Sequence, residues 1–120
     1  VKVLLRQKDV LNAESEGKLY DVIVSNPPYI TNKEKVDMEA NVLDWEPSLA
    51  LFVPDEDPLL FYRKIARLGC EILKEGGSLY FEINRAYGQE TALMLNELGY
   101  NQIELKKDSW GNDRMIKAKR

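Results

Sequence analysis

Val22, Ile23 and Val24 follow Leu19 in a run with no turn residue inside it, the pattern of a strand buried on both faces. Ser25 and Asn26 then meet Pro27 and Pro28, which have no N–H to give to a ladder and so end the strand. Upstream lie a short β-type run over 1–5 and a polar loop reaching Lys18. Downstream, 31–54 has no clear period: Lys33, Glu34, Lys35, Asp37 and Glu39 keep it polar, and Pro47 and Pro54 break any long helix. It reads as a long loop with one helical turn near 34–40, a length often found in lids and binding loops.

Asp57 followed by Pro58 predicts a helix start, a capping side chain before the residue suited to the first helical position. Phe61, Ile65, Leu68 and Ile72 give that helix one apolar face, and Gly76–Gly77 is its expected stop, with Gly76 left-handed. A glycine pair also suits a phosphate loop, but this one follows a helix rather than a strand. A strand over 78–83 and a helix over 87–98 come next, with Thr91, Leu95 and Leu98 on one face and Gly99 as terminator. Ile103 and Leu105 alternate with polar residues in a half-exposed strand over 102–107. A turn over 109–113 and a last strand over 114–119 complete an antiparallel hairpin. The whole is α/β, with a mixed sheet and a closing hairpin.

Composition narrows the chemistry. In 120 residues there is room for one small domain, and 44% hydrophobic with 31% charged residues is ordinary for a globular chain. No apolar run is long enough to span a bilayer, so no membrane association is expected. Cys70, the single cysteine, excludes an intrachain disulfide, suggests a reducing cytoplasmic setting, and reads as a packing thiol inside a helix. The absence of histidine removes the usual general base and the commonest metal ligand, and no metal site is expected. A net charge of −3 gives no footprint for gripping a phosphate backbone.

The strand end at 25–29 has specific chemistry. Pro27 holds Asn26 extended, and Pro28 does the same to Pro27. The Asn26 side-chain oxygen and the Pro27 carbonyl are two neighbouring acceptors, a match for the two hydrogens of an –NH2 group. Tyr29 adds a flat face for a planar amide or base. At the carboxyl end of a strand in an open α/β sheet, where ligands bind, such a tip would hold a planar amino group and aim its nitrogen.

Asn26-Pro27-Pro28-Tyr29 resembles the signature of S-adenosylmethionine-dependent methyltransferases that modify exocyclic or amide nitrogens. Two groups share it: DNA adenine-N6 methyltransferases and glutamine-N5 methyltransferases acting on translation release factors. Trp45 to Leu51, with Glu46 and Pro47, resembles the Glu-Pro-x-x-Ala-Leu stretch of the second group. So does Asp108 with Gly111 and Arg114, which is similar to that group's Asp-x-x-Gly-x-x-Arg ending. An adenine methyltransferase would also need a basic recognition surface for base flipping, against the acidic balance here.

The glutamine-N5 resemblance implies the C-terminal half of a Rossmann-like methyltransferase domain. No Gly-x-Gly occurs anywhere in the chain, and the resemblance implies that these 120 residues include neither the glycine-rich cofactor half nor the family's N-terminal helical domain. The 120 residues alone are expected to be inactive and to bind S-adenosylmethionine weakly or not at all. It further implies a substrate set of Asn26, Pro27, Pro28, Tyr29 and Glu46, with Asn26, Pro27 and Tyr29 acting on the reacting amide. Asp9 reads by itself as a cap or surface charge; the resemblance places an acidic residue here near the cofactor's adenine, with Asn26 also beside the cofactor. Glu82 suits either a pocket floor or a hydrogen-bonded strand end. The implied partner is a peptide chain release factor, with a ribosomal protein as the alternative glutamine donor and no direct nucleic-acid contact. In the family's sheet the strand matching 1–5 is not a neighbour of the 22–24 strand. Residues 1–5 are therefore expected to be displaced, disordered or paired with another molecule. The 22–24 strand would become an exposed apolar edge, open to dimer formation.

Overall fold

A computed structural model describes residues 2–28, 30–31, 52–54 and 56–120. Its main sheet has four strands in the order β1 (Tyr20–Ser25), β4 (Leu73–Glu82), β6 (Asp113–Lys119), β5 (Asn101–Lys107). β1 runs parallel to β4, and β6 antiparallel to both β4 and β5, so the expected mixed sheet and closing hairpin are present. Among the described residues two α-helices pack on it, α1 (Leu60–Ile72) and α2 (Gly88–Glu97). A second, parallel pair of two-residue strands joins β2 (Ile30–Thr31) to β3 (Phe52–Val53). That pair went unread in the sequence, because two residues carry no alternation and the partner lies far along the chain.

The core lies where α1 and α2 meet the sheet: Tyr62, Ile65, Ala66, Leu79, Phe81, Ile83, Leu95 and Ile116 are all buried. The Tyr62 ring meets Phe81 edge-on at 4.9 Å between centroids. Of the face expected on α1, only Ile65 is buried; the true stripe is Tyr62, Ile65, Ala66 and Gly69, with Phe61, Leu68 and Ile72 half-buried on its flanks. Thr91 and Leu95 of α2 are fully buried as expected, and Gly99 terminates it with φ +97°.

Four sequence expectations are corrected. β1 is not buried on both faces: Val22 is 51% and Val24 75% exposed, since β4 is its one strand neighbour among the described residues. Residues 2–9 form no strand and are exposed, so the β-type run does not fold as one, while the expected lack of pairing with the 22–24 strand holds for the described residues 2–5. α1 starts at Leu60, without a side-chain cap, because Asp57 instead takes the Arg63 guanidinium at 2.9 and 3.0 Å. Finally, Gly76 is left-handed, at φ +79°, but ends no helix. α1 already stops at Ile72 and the chain passes directly into β4, where the register against β1 slips between Tyr20 and Val22. The Gly76–Gly77 pair takes up that irregularity.

Candidate functional site

β1 delivers the candidate tip. Its last residue, Ser25, faces Phe81 of β4 in parallel register, so Asn26 stands just beyond the ladder, level with Glu82. Asn26 is exposed, Pro27 is buried and Pro28 is half-buried. Pro27 thus anchors the turn in the protein while the amide beside it reaches solvent. Tyr29 and Glu46 lie outside the described residues, as do the stretch over 45–51 and the helical turn near 34–40.

The neighbouring strand end is fixed from behind. Tyr62 Oη donates to the Glu82 carbonyl at 2.8 Å, and Ile83 N donates to the Arg114 carbonyl at 2.9 Å. Asn84, nearly buried, caps the 3-10 turn Arg85–Tyr87 by accepting from Ala86 N at 2.9 Å. These supports were missed in the sequence, where Tyr62 sits one place from the face that the spacing picked out. Such a frame holds the end of β4 still beside the tip, which is what positioning chemistry requires.

Asp9 precedes β1 in the chain, as Asn26 follows it. It caps the 3-10 turn Val10–Asn12, Oδ1 accepting from Leu11 N at 3.0 Å and Oδ2 from Asn12 Nδ2 at 2.8 Å. It lines a shallow cavity of about 400 Å³ with Lys8, Asn12 and Glu16, in which Asn26 takes no part. The cap reading therefore describes its contacts. A carboxylate offers about four lone-pair sites, so this exposed group keeps capacity for a hydroxyl or amino donor and fits a contact to a nucleoside. A second cavity, about 640 Å³, runs along β1, with Arg6, Tyr20, Val24 and Leu68 among its lining residues. Cys70 is half-buried, its thiol 3.7 Å from the Leu98 carbonyl, a packing role.

At the hairpin end the polar turn residues close on one another. Asp108 Oδ1 accepts from Trp110 N at 2.8 Å and Asn112 N at 3.1 Å, while Oδ2 accepts from Arg114 Nε at 2.9 Å. The bond from Arg114, then those from the backbone, hold the Asp108 carboxyl below its ordinary range. A depressed carboxylate contributes stability above its unfolded pKa, near 3.9, and loses it as pH falls through the folded value. Asp108→Asn is therefore expected to lower the melting temperature at pH 7 and to flatten its fall between pH 4 and pH 2, read by circular dichroism. An unaltered acid limb would count against this closure.

No protein-family model matches the chain. Over 120 residues it is 58% identical to the release factor glutamine methyltransferase of Bacteroides thetaiotaomicron, covering 99% of this chain and 43% of that protein. The enzyme of the same name from Flavobacterium psychrophilum is 50% identical over 118 residues, 98% of this chain and 41% of the relative. Nearly its whole length is similar to release factor glutamine methyltransferases. It spans about two fifths of the length of these relatives. Among solved structures, the release-factor-specific protein-(glutamine-N5) methyltransferase from Alicyclobacillus acidocaldarius superposes with a TM-score of 0.54 at 28% identity, covering 87% of this chain and 50% of that one. A possible exported protein from Bordetella parapertussis, 14% identical with a TM-score of 0.56, shares the fold alone. Within the methyltransferase fold, the described part of this chain supplies a strand-end turn, its supporting frame and the closing hairpin.

Proposed function

We propose that this chain carries the amide-binding tip of an enzyme that methylates the side-chain nitrogen (N5) of a glutamine in a peptide chain release factor. The observation that carries the reading is the pairing of an exposed Asn26 with a buried Pro27 just past the last paired residue of β1. The buried proline fixes the turn, and the exposed amide is free to meet a substrate.

An amide nitrogen is a poor nucleophile because its lone pair is delocalised into the carbonyl. Asn26 Oδ1 and the Pro27 carbonyl each accept one N–H of the glutamine amide, which favours a pyramidal nitrogen with its lone pair directed outward. S-adenosylmethionine, when bound, supplies an electrophilic methyl group. Pro28 keeps the turn rigid, Tyr29 flanks the amide plane and steadies the cationic methyl, and Glu46 contacts the substrate from its loop. Asp9 and Asn26 are the residues assigned to hold the cofactor, Asp9 through its remaining acceptor capacity. Once alkylated, the nitrogen sheds a proton readily, so no strong base is needed and a chain without histidine suffices. The setting proposed is cytoplasmic, with no direct nucleic-acid contact; no helix among the described residues is long and apolar enough to cross a membrane. By itself the 120-residue chain is proposed to be inactive, with the exposed edge of β1 open to pairing with a second copy.

The test is incubation of the full-length protein with S-adenosylmethionine and a release factor, followed by tandem mass spectrometry of the digest. One added methyl group on a glutamine side chain is the expected result. Methylation found only on a ribosomal protein, or on adenine in DNA, would replace the substrate proposed here.

A further inference from the structure

The sheet brings one more feature to the end that carries Asn26. β1 and β4 are parallel and end together at Ser25 and Phe81. β6 begins at that same end, with Met115 facing Glu82, and β5 finishes there, with Lys107 facing Asp113. The β5–β6 turn therefore projects from the Asn26 end of the sheet. At its tip is Trp110, 87% exposed, the largest side chain type placed almost wholly in water.

This indole is presented on a fixed turn. Asp108 ties down the Trp110 and Asn112 amides and Arg114, Asp108 N donates to the Asn112 carbonyl at 2.9 Å, and Gly111 takes the left-handed φ of +81° the turn needs. A rigid, exposed aromatic gives up little conformational entropy on binding, which is why such residues anchor protein interfaces. The charges nearby are engaged within the turn: Lys107 pairs with Asp113 at 2.9 Å and Arg114 with Asp108 at 2.9 Å. A partner recognised here is therefore met by apolar contact rather than through phosphate.

We infer that Trp110 is a docking residue for the protein substrate, anchoring an apolar segment near the methyl-accepting glutamine. The inference rests on the reading of Asn26 proposed above. Neighbouring strands lie about 4.8 Å apart, and the order β1-β4-β6-β5 puts two to three spacings between Asn26 and the turn. That gap of roughly 10–15 Å is covered by about three to five extended residues. A folded protein substrate reaches both points at once; a very short peptide reaches only Asn26.

The experiment uses the full-length enzyme as wild type, Trp110→Ala and Trp110→Phe. Binding of labelled release factor is followed by fluorescence anisotropy, and methyl transfer is measured on the intact release factor and on a pentapeptide with glutamine at its centre, which extends only two residues, about 7 Å, to either side and so falls short of Trp110. Trp110→Ala is expected to raise Kd and KM for the release factor roughly ten- to thirtyfold, to change KM for the pentapeptide by less than about twofold, and to be largely rescued by Trp110→Phe. An unaltered Kd for the release factor overturns the inference, as does an equal loss on the pentapeptide. So does a change confined to self-association in sedimentation, which would assign the surface to a second copy. If wild type binds the release factor without methylating it, the Asn26 reading fails while the anisotropy still decides the role of Trp110.

Discussion

Asn26→Ala in the full-length enzyme is expected to slow methyl transfer to the release factor about a hundred- to a thousandfold at saturating substrate, the loss typical of removing one well-placed group that stabilises developing charge. The side chain is exposed, so nothing in the core depends on it, and the melting temperature should be almost unmoved. Pro27, buried next to it, would still hold the turn. What disappears is one of two acceptors for the amide hydrogens, and with it the bias toward a nitrogen whose lone pair faces the methyl donor. Asn26→Gln is the sharper variant. It keeps the amide and displaces it by one methylene, and misplacement on the order of 1 Å costs about a hundredfold. Single-turnover methyl incorporation reads both variants. Full activity of either would show that the tip does not position the reacting nitrogen.

Gly69→Ala should destabilise the protein by about 1–2 kcal/mol and lower its melting temperature by roughly 4–8 °C. This runs against propensity, since alanine in a helix interior gains about 1 kcal/mol over glycine. The reason is Tyr100. A methyl group at position 69 would stand 2.3 Å from the Tyr100 hydroxyl, which already donates to the Ala66 carbonyl at 2.6 Å. Tyr100 is 3% exposed, so its ring has nowhere to swing. The substitution therefore displaces either the buried hydrogen bond or α1. Removing the hydroxyl should remove most of the conflict: in a Tyr100→Phe background, Gly69→Ala is expected to be neutral or stabilising by up to about 1 kcal/mol. Thermal unfolding of the four variants measures the coupling, and simple additivity would sink this account. Burial, and then Cys70 beside it, raise the Tyr100 phenol above its ordinary range. Its contribution is present below an unfolded pKa near 10 and is lost as pH rises through the folded value. The alkaline limb of the melting curve should therefore weaken in Tyr100→Phe.

What the sequence disclosed and what it hid follow from locality. Asn26-Pro27-Pro28 was legible because proline restrains its own neighbours, so a strand, its end and a pair of acceptors are written in four consecutive residues. The hairpin was legible for the same reason: Ile103 and Leu105 alternate, and Gly111 breaks the chain where the turn forms. The apolar run of β1 pointed wrongly to burial on both faces, since it looks the same whether or not both of its neighbours are present; its exposed edge was expected only through the family resemblance. The α1 stripe was displaced by one position because Tyr62, amphipathic by type, is buried with its hydroxyl satisfied by the Glu82 carbonyl. Asp57 was read as a cap from its place before Pro58, but six residues on Arg63 competes for the same carboxylate. Trp110 was legible as a turn residue only; that it shares an end of the sheet with Asn26 is a property of strand order.

The register of the sheet has a bearing on chain entropy. Val24 pairs with Tyr80 across fifty-six residues, whereas Leu105 pairs with Ile116 across eleven. Closing the longer loop costs about 1.4 kcal/mol more in the simplest polymer estimate, and among the described residues β1 has a single ladder against which to recover it. The β5–β6 pairing is the cheap local event, and the β1–β4 pairing the expensive distant one. The residues proposed to do the chemistry thus hang from the ladder that an unfolded chain finds hardest to close.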